Sequence, residues 1–224
     1  MTHVIAYSRQ QCKHLVSRLN ERMDADFVGI SSKAGLVAND LKKIDPGIIF
    51  FPHWSNIIPA EIYRDYECII FHMTDLPYGR GGSPLQNLIV RGHKETMISA
   101  LRCVEELDAG PIYIKKPLSL SGSANEIFSR SDALIEDMIV EILKSNPEPI
   151  PQNGEPIVFK RRKPEEGDWS TAQTLSEVYD YIRMLDAEGY PPAYIHSGGY
   201  KLEFKKATQY SNSITAKVKI TKRD

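Results

Sequence analysis

Apolar positions in the first half of the chain fall into short blocks separated by stretches with a helical period. The blocks HVIAYS (3–8), ADFVGIS (25–31), GIIFFPHW (47–54) and YECIIFH (66–72) are continuous enough to predict strands buried on both faces. Between the first two, Cys12, Leu15, Val16, Leu19 and Met23 recur every three or four residues, leaving Arg18 and Glu21 to face water. GLVANDLKKID (35–45) predicts a second, shorter helix ended by Pro46. Buried strands alternating with amphipathic helices predict an α/β core around a Rossmann-like, mostly parallel sheet.

The pattern changes after residue 72. FHMTDLPYGRGGSP (71–84) is a turn-rich loop in which Ser83, Pro84 and Gln86 have the spacing of a capping box for the helix PLQNLIVRG. TMISALRCV (96–104) alternates as a strand, and Asp108-Ala109-Gly110 is a turn signal. In GSANEIFSRSDALIEDMIVEILKS (122–145), Ser123 and Glu126 predict a cap, and Ile127, Phe128, Leu134, Ile135, Met138, Ile139 and Ile142 form one apolar stripe. A proline-rich stretch (146–170) then carries the run Lys160-Arg161-Arg162-Lys163. Thr174 and Glu177 open another helix, with Leu175, Val178, Tyr179, Ile182 and Leu185 as its buried face, and residues 198–222 alternate as two β segments around Asn212. The expected organisation is a core over 1–147, a surface linker over 148–170, and a small C-terminal helix plus β-hairpin extension over 171–224.

Composition narrows the class. With 224 residues, 42% hydrophobic and 25% charged, the chain can bury a full core. A net charge of −1 supplies no global basic field, from which no nucleic-acid partner is expected, although seven Lys/Arg face Glu203 and Asp224 within 201–224. Three scattered cysteines fit a reducing compartment better than a disulfide framework. The sequence has no secretory pattern and no apolar run of about 18 residues, so a soluble cytoplasmic protein with no membrane partner is expected.

Two histidines, His53 and His72, fall just past predicted strand ends. In parallel sheets that edge is where loops and helix N-termini converge on ligands. An acid such as Asp108, brought beside His72, would fix the imidazole tautomer and support proton transfer, although Asp-Ala-Gly is also an ordinary turn. Arg80 reads equally well as a phosphate contact or as a brace for its turn. GRGGSP matches neither glycine-rich nucleotide motif. A zinc set of Cys68, His72, His53 and His93 lacks ligand spacing, and no metal is expected.

The combination FHMTDLPYGRGGSPLQNLIVRG followed by TMISALRCVEELDAGPIYIKK resembles the core of formyltransferases that use 10-formyltetrahydrofolate as formyl donor. The resemblance places His72 and Asp108, 36 residues apart, on the catalytic histidine and aspartate. It puts Ile70 where the family carries an asparagine, which would donate to the developing oxyanion. His53 or Asn56 is the expected replacement donor. Ile70, Arg80, Val104, Glu105 and Leu107 would border the folate. Trp54, Ser55, Thr74, Tyr78, Gly82, Lys160, Arg161 and Arg162 would contact the acceptor.

The tail YDYIRMLDAEGYPPAYIHSGGYKLEFKKA is similar to that of formyltransferases acting on nucleotide-linked amino sugars, and the whole looks like the pseudaminic acid pathway type. The implied partner is a nucleotide-linked 4-amino-4,6-dideoxy sugar, UDP-4-amino-4,6-dideoxy-N-acetylaltrosamine in that pathway. A glycinamide ribonucleotide formyltransferase, a formyltetrahydrofolate hydrolase and a non-enzymatic folate or sugar-nucleotide binding protein stay as alternatives. The apolar face of the C-terminal helix can close either the core or a homodimer.

Overall fold

The computed structural model describes residues 1–223. Contacts divide the chain into two units. One comprises Met1–Arg80, Met97–Leu118 and Arg130–Val158, and the other Gly81–Thr96, Ser119–Ser129 and the chain from Phe159 on.

The first half alternates as its apolar blocks dictate: β1 (Thr2–Ala6), α1 (Lys13–Arg22), β2 (Asp26–Ile30), α2 (Ala38–Ile44), β3 (Ile48–Pro52), α3 (Ala60–Asp65) and β4 (Glu67–His72). There follow β5 (Tyr78–Gly81), α4 (Pro84–Val90), β6 (Glu95–Arg102), β7 (Ile112–Ser119), α5 (Ala124–Ser145) and β8 (Ile157–Phe159). The chain closes with α6 (Leu175–Leu185), β9 (Ala193–Ser197), β10 (Tyr200–Gln209) and β11 (Ile214–Lys222).

A six-stranded sheet runs in the order β2-β1-β3-β4-β6-β7. Its β1–β2, β1–β3 and β3–β4 pairs are parallel, and β4–β6 is antiparallel. The fold is therefore the expected α/β core with a mixed, mostly parallel sheet and a small C-terminal helix and antiparallel β extension. The central strands β1 and β3 are buried at nearly every position, which is why they read as unbroken apolar runs. The outer strand β2 buries only Phe27 and Ile30. Pro117, which cannot donate to a ladder, sits in β7 at the other edge. Fully buried Ile5, Ile49, Phe50, Phe51 and Ile69 anchor the sheet, each contributing roughly 1.5–3 kcal/mol relative to exposure.

In the second unit, β9, β10 and β11 form a three-stranded antiparallel sheet. Phe204 of that sheet packs edge-on against Trp169 with ring centroids 5.2 Å apart. The cap predicted at Thr174 forms: its hydroxyl accepts from Glu177 N, and the Glu177 carboxylate accepts from Thr174 N. The cap predicted at Ser83 does not. Ser83 has a left-handed backbone (φ 50°), its Oγ instead accepts from Arg162 N, and Gln86 donates to Met184 O. Among the described residues no helix is long and apolar enough to cross a membrane.

Candidate active site

His72 ends β4, where the strand leaves the sheet, and its side chain is 8% exposed. Its Nε2 lies 2.8 Å from Gly79 O. A carbonyl oxygen can only accept, so Nε2 carries the proton and the lone pair of the neutral ring sits on Nδ1. Asp108 stands near that atom, with Oδ2 3.6 Å from Nδ1. Asp108 is itself 7% exposed at the side chain. A buried base atom beside a buried carboxylate is an arrangement for receiving a proton and stabilising the cation that results.

The turn carrying Asp108 is made by conformation and by contact. Asp108 adopts φ 53°, a left-handed backbone that Asp tolerates better than most residues. Two residues on, a Cβ at Gly110 would meet Arg102 O at 1.8 Å, so only glycine fits. On the His72 side, Leu76-Pro77 is cis and Thr74 Oγ1 also donates to Gly79 O. Ser99, opposite His72 in the β4–β6 register, donates to Thr74 O at 2.8 Å.

The structure separates the other expected site residues by what holds them. Arg80 does not extend to solvent: Nη1 donates to Glu106 Oε1 at 2.9 Å, and Nε and Nη2 both donate to Gln152 Oε1. Of its two readings, the brace is the one the geometry supports. Thr74 has no accessible surface, which removes it from the expected acceptor contacts. Ile70 pairs in register with Phe51 and Leu101 and packs on the apolar cluster that contains Phe51 and Cys103. Its side chain carries no hydrogen-bond donor.

Of the expected replacement donors, Asn56 is exposed, while His53, in a left-handed backbone (φ 48°), places Nε2 2.8 Å from Asp132 Oδ1. Cys12 completes a group in which one ligand atom from each of Cys12, His53 and Asp132 lies within 4.8 Å of the others. The hydrogen-bond distance between His53 and Asp132 accounts for this pair without an ion.

Ser55 donates through both N and Oγ to Ser8 Oγ. Trp54 packs edge-on against Phe51, and its indole N–H finds no partner among the described residues. Tyr78 is half-buried in β5, and Val104 is half-buried while Glu105 is exposed. Leu107, next to buried Asp108, is 55% exposed and offers apolar surface to a planar ring.

In the second unit, Gly82 N donates to Phe159 O, and a Cβ there would meet Arg161 at 2.6 Å. Lys160 and Arg161 are exposed, whereas Arg162 is drawn to Glu166 through Nη2 and the carbonyl at 2.8 Å. Asn87 is spent inside the unit, donating to Gly82 O and Lys160 O and accepting from Arg91.

Sequence reasoning missed Gln152 and Asp132. Gln152 lies in the proline-rich stretch, 44 residues from the Asp108 carbonyl it contacts, and Asp132 is 79 residues from His53. No local pattern marks either.

Residues 10–127 match the family described as formyl transferase, and residues 164–221 match the methionyl-tRNA formyltransferase C-terminal domain. A methionyl-tRNA formyltransferase from Bacillus thuringiensis (strain Al Hakam) is 32% identical over 167 residues, covering 70% of this chain and 52% of that protein. The chain thus spans about half the length of the curated relatives it matches. The solved methionyl-tRNA formyltransferase from Clostridium thermocellum is 45% identical, with a TM-score of 0.96 over 99% of both chains. HypX from Aquifex aeolicus in complex with tetrahydrofolic acid shares the fold at 19% identity (TM-score 0.75), covering 92% of this chain and 37% of that one.

These likenesses correct one expectation. Excluding nucleic acid in favour of a nucleotide-linked amino sugar is overturned by relatives that are methionyl-tRNA formyltransferases. Net charge was the wrong measure, because phosphate contacts depend on local cations rather than on the sum over the chain.

Proposed function

The chain belongs to the formyl transferase family, and from that premise we propose that it transfers a formyl group from 10-formyltetrahydrofolate to a primary amine. The observation that carries this reading is the buried pair of His72 Nδ1 and Asp108 Oδ2, 3.6 Å apart, with Nε2 locked on Gly79 O. The amine nitrogen attacks the formyl carbon, and the N–H proton passes to Nδ1, the ring atom whose lone pair is free. Asp108 stabilises the imidazolium so formed, and the proton then leaves with the departing folate nitrogen. The apolar surface of Leu107, with Val104 and Glu105 in the same loop, would hold the folate ring beside that pair. The folate supplies the activated one-carbon unit, and the protein supplies orientation and the proton path.

For the acceptor we infer the α-amine of an aminoacyl-tRNA of the methionyl type. The match of residues 164–221 and the 45% identity to the Clostridium thermocellum protein support it. So does the charge on the three-stranded sheet, where the register pairs Lys205 with Lys217 and Glu203 with Lys219, leaving cations in excess on that face. The test supplies purified protein with 10-formyltetrahydrofolate and either methionyl-tRNA or UDP- and TDP-linked 4-amino sugars, with products read by mass spectrometry. Formyl-methionyl-tRNA is the expected product. A formylated sugar with untouched methionyl-tRNA would overturn the acceptor. Formate released without any acceptor would make the protein a hydrolase.

A further inference from the structure

We propose that Gln152 is a positioning residue for Asp108, an inference that rests on the formyl-transfer reading above. The Gln152 carboxamide uses its full hydrogen-bonding capacity at one place. Its oxygen accepts from Arg80 Nε at 3.1 Å and Nη2 at 2.9 Å, and its nitrogen donates to Asp108 O at 2.8 Å and Gly110 O at 2.9 Å. The orientation of the amide follows from chemistry alone: a guanidinium can only donate and a carbonyl can only accept.

The same guanidinium holds Glu106 through Nη1, two residues before Asp108. The loop over 106–110 is thereby tied at three points, the Glu106 carboxylate and the carbonyls of 108 and 110, to one Arg-Gln unit. Gln152 is itself fixed from its N-terminal side, because Ile150 exchanges hydrogen bonds of 2.9 and 2.8 Å with Ile112.

This clamp matters because Asp108 has an unfavourable backbone and a sensitive distance. A left-handed φ of 53° at a non-glycine residue persists only where surroundings enforce it, and the two Gln152 bonds fall on its own carbonyl and on that of Gly110. At 3.6 Å, Oδ2 stands just outside hydrogen-bond reach of Nδ1, so a shift of the loop by a few tenths of an ångström changes how strongly it stabilises a proton there. The bonds that Gln152 makes to this loop are to the backbone carbonyls of Asp108 and Gly110. It acts through the backbone.

Two variants test this in the full chain. Q152A removes both sets of bonds. Q152E keeps an acceptor for Arg80 but presents a carboxylate oxygen to two carbonyls, so it separates the Arg80 contact from the clamp on the loop. Both variants are assayed at a temperature where their melts show them fully folded. The expected result is a kcat at least 10-fold lower with KM for 10-formyltetrahydrofolate within threefold, and amide hydrogen exchange over 104–110 at least 10-fold faster than in wild type. Equal exchange in either folded variant, or a kcat within twofold of wild type, overturns the proposal. If wild type forms no product with any acceptor, the reaction reading fails on that result, and the exchange of 104–110 alone decides whether Gln152 holds the loop.

Discussion

Replacing Asp108 with Asn keeps the shape of the side chain and removes its charge. The carboxylate oxygen lies 3.6 Å from His72 Nδ1, and both side chains are more than nine-tenths buried. With an effective dielectric of about 20, a full charge on the ring at that separation is stabilised by roughly 4–5 kcal/mol. That stabilisation is present only while Nδ1 holds the amine proton, so its loss raises the barrier rather than weakening ground-state binding. A loss of about 4 kcal/mol lowers the rate by about 10³-fold. The assay is the initial rate of 10-formyltetrahydrofolate consumption with saturating acceptor, D108N against wild type, with thermal melts to confirm that both are folded. The expected result is a kcat about 10³-fold lower and a KM for the folate within a few-fold. A folded D108N that keeps more than a tenth of the wild-type kcat would refute the assignment of Asp108 as the electrostatic partner of His72.

The remaining predictions concern stability and reactivity. Arg183 is 4% exposed and donates to Leu120 O and Gly122 O while pairing with Asp180 at 2.6 Å; R183A strands a partly buried carboxylate and two carbonyls and should cost about 3 kcal/mol, read as a fall in Tm of about 10 °C. G110A drives a methyl group to 1.8 Å from Arg102 O and should lower stability by about 2 kcal/mol or more in a urea melt, whereas a melt unchanged from wild type would show that the turn can move aside. Burial pushes the Cys12 thiol up to about 12, with Asp132 adding to it, and Cys103 up to about 11; Cys68 is raised as well. The folded state therefore holds these protons more tightly than the unfolded chain, so the stability they contribute is complete below an ordinary thiol pKa of about 8.5 and is lost as pH rises toward the folded values. A dithiobisnitrobenzoate titration at pH 8 should find the three buried cysteines slow in the native protein and fast in urea.

The parts of the fold legible in the sequence are those whose signal is local. Unbroken apolar runs marked β1, β3 and β4 because a strand covered on both faces has no polar side to show. The stripe of α5 buries Ile127, Phe128, Ile135, Met138, Ile139 and Ile142 as its spacing indicates, with Leu134 half-buried. Short elements escaped: α3 spans six residues behind Pro59, and β9 spans five behind two prolines, lengths at which periodicity carries little information. The Ser83 cap failed for a different reason. Its spacing is right, but a left-handed backbone at Ser83 turns the hydroxyl away from α4 and toward Arg162 N, 79 residues along the chain.

The site divides along the same line. His72 and Asp108 were legible because a strand end and a turn signal are local features and the loop between them carries a recognisable combination of residues. What surrounds them was not, because each surrounding group is fixed by a partner far away in sequence. Arg80 reads from the sequence equally well as a phosphate contact or a brace, and in the fold each of its three guanidinium nitrogens donates to Gln152 or Glu106. Of the two replacement donors the sequence suggests for Ile70, Asn56 is exposed and His53 is bonded, as are its neighbour Ser55 and, on α4, Asn87. In the fold His53 is held by Asp132, Ser55 by Ser8, and Asn87 by Gly82 and Lys160. A polar residue satisfied inside the protein must break those bonds before it can serve a reacting oxygen, at roughly 1–3 kcal/mol for each group left buried and unpaired. Replacing the donor that Ile70 lacks by buried His53 or Asn87 would therefore consume much of the roughly 3–4 kcal/mol that one such donor contributes, a cost that exposed Ser55 does not bear. That cost does not fall on exposed Asn56, nor on His72 Nδ1, which becomes a donor only once it has taken up the amine proton beside Asp108.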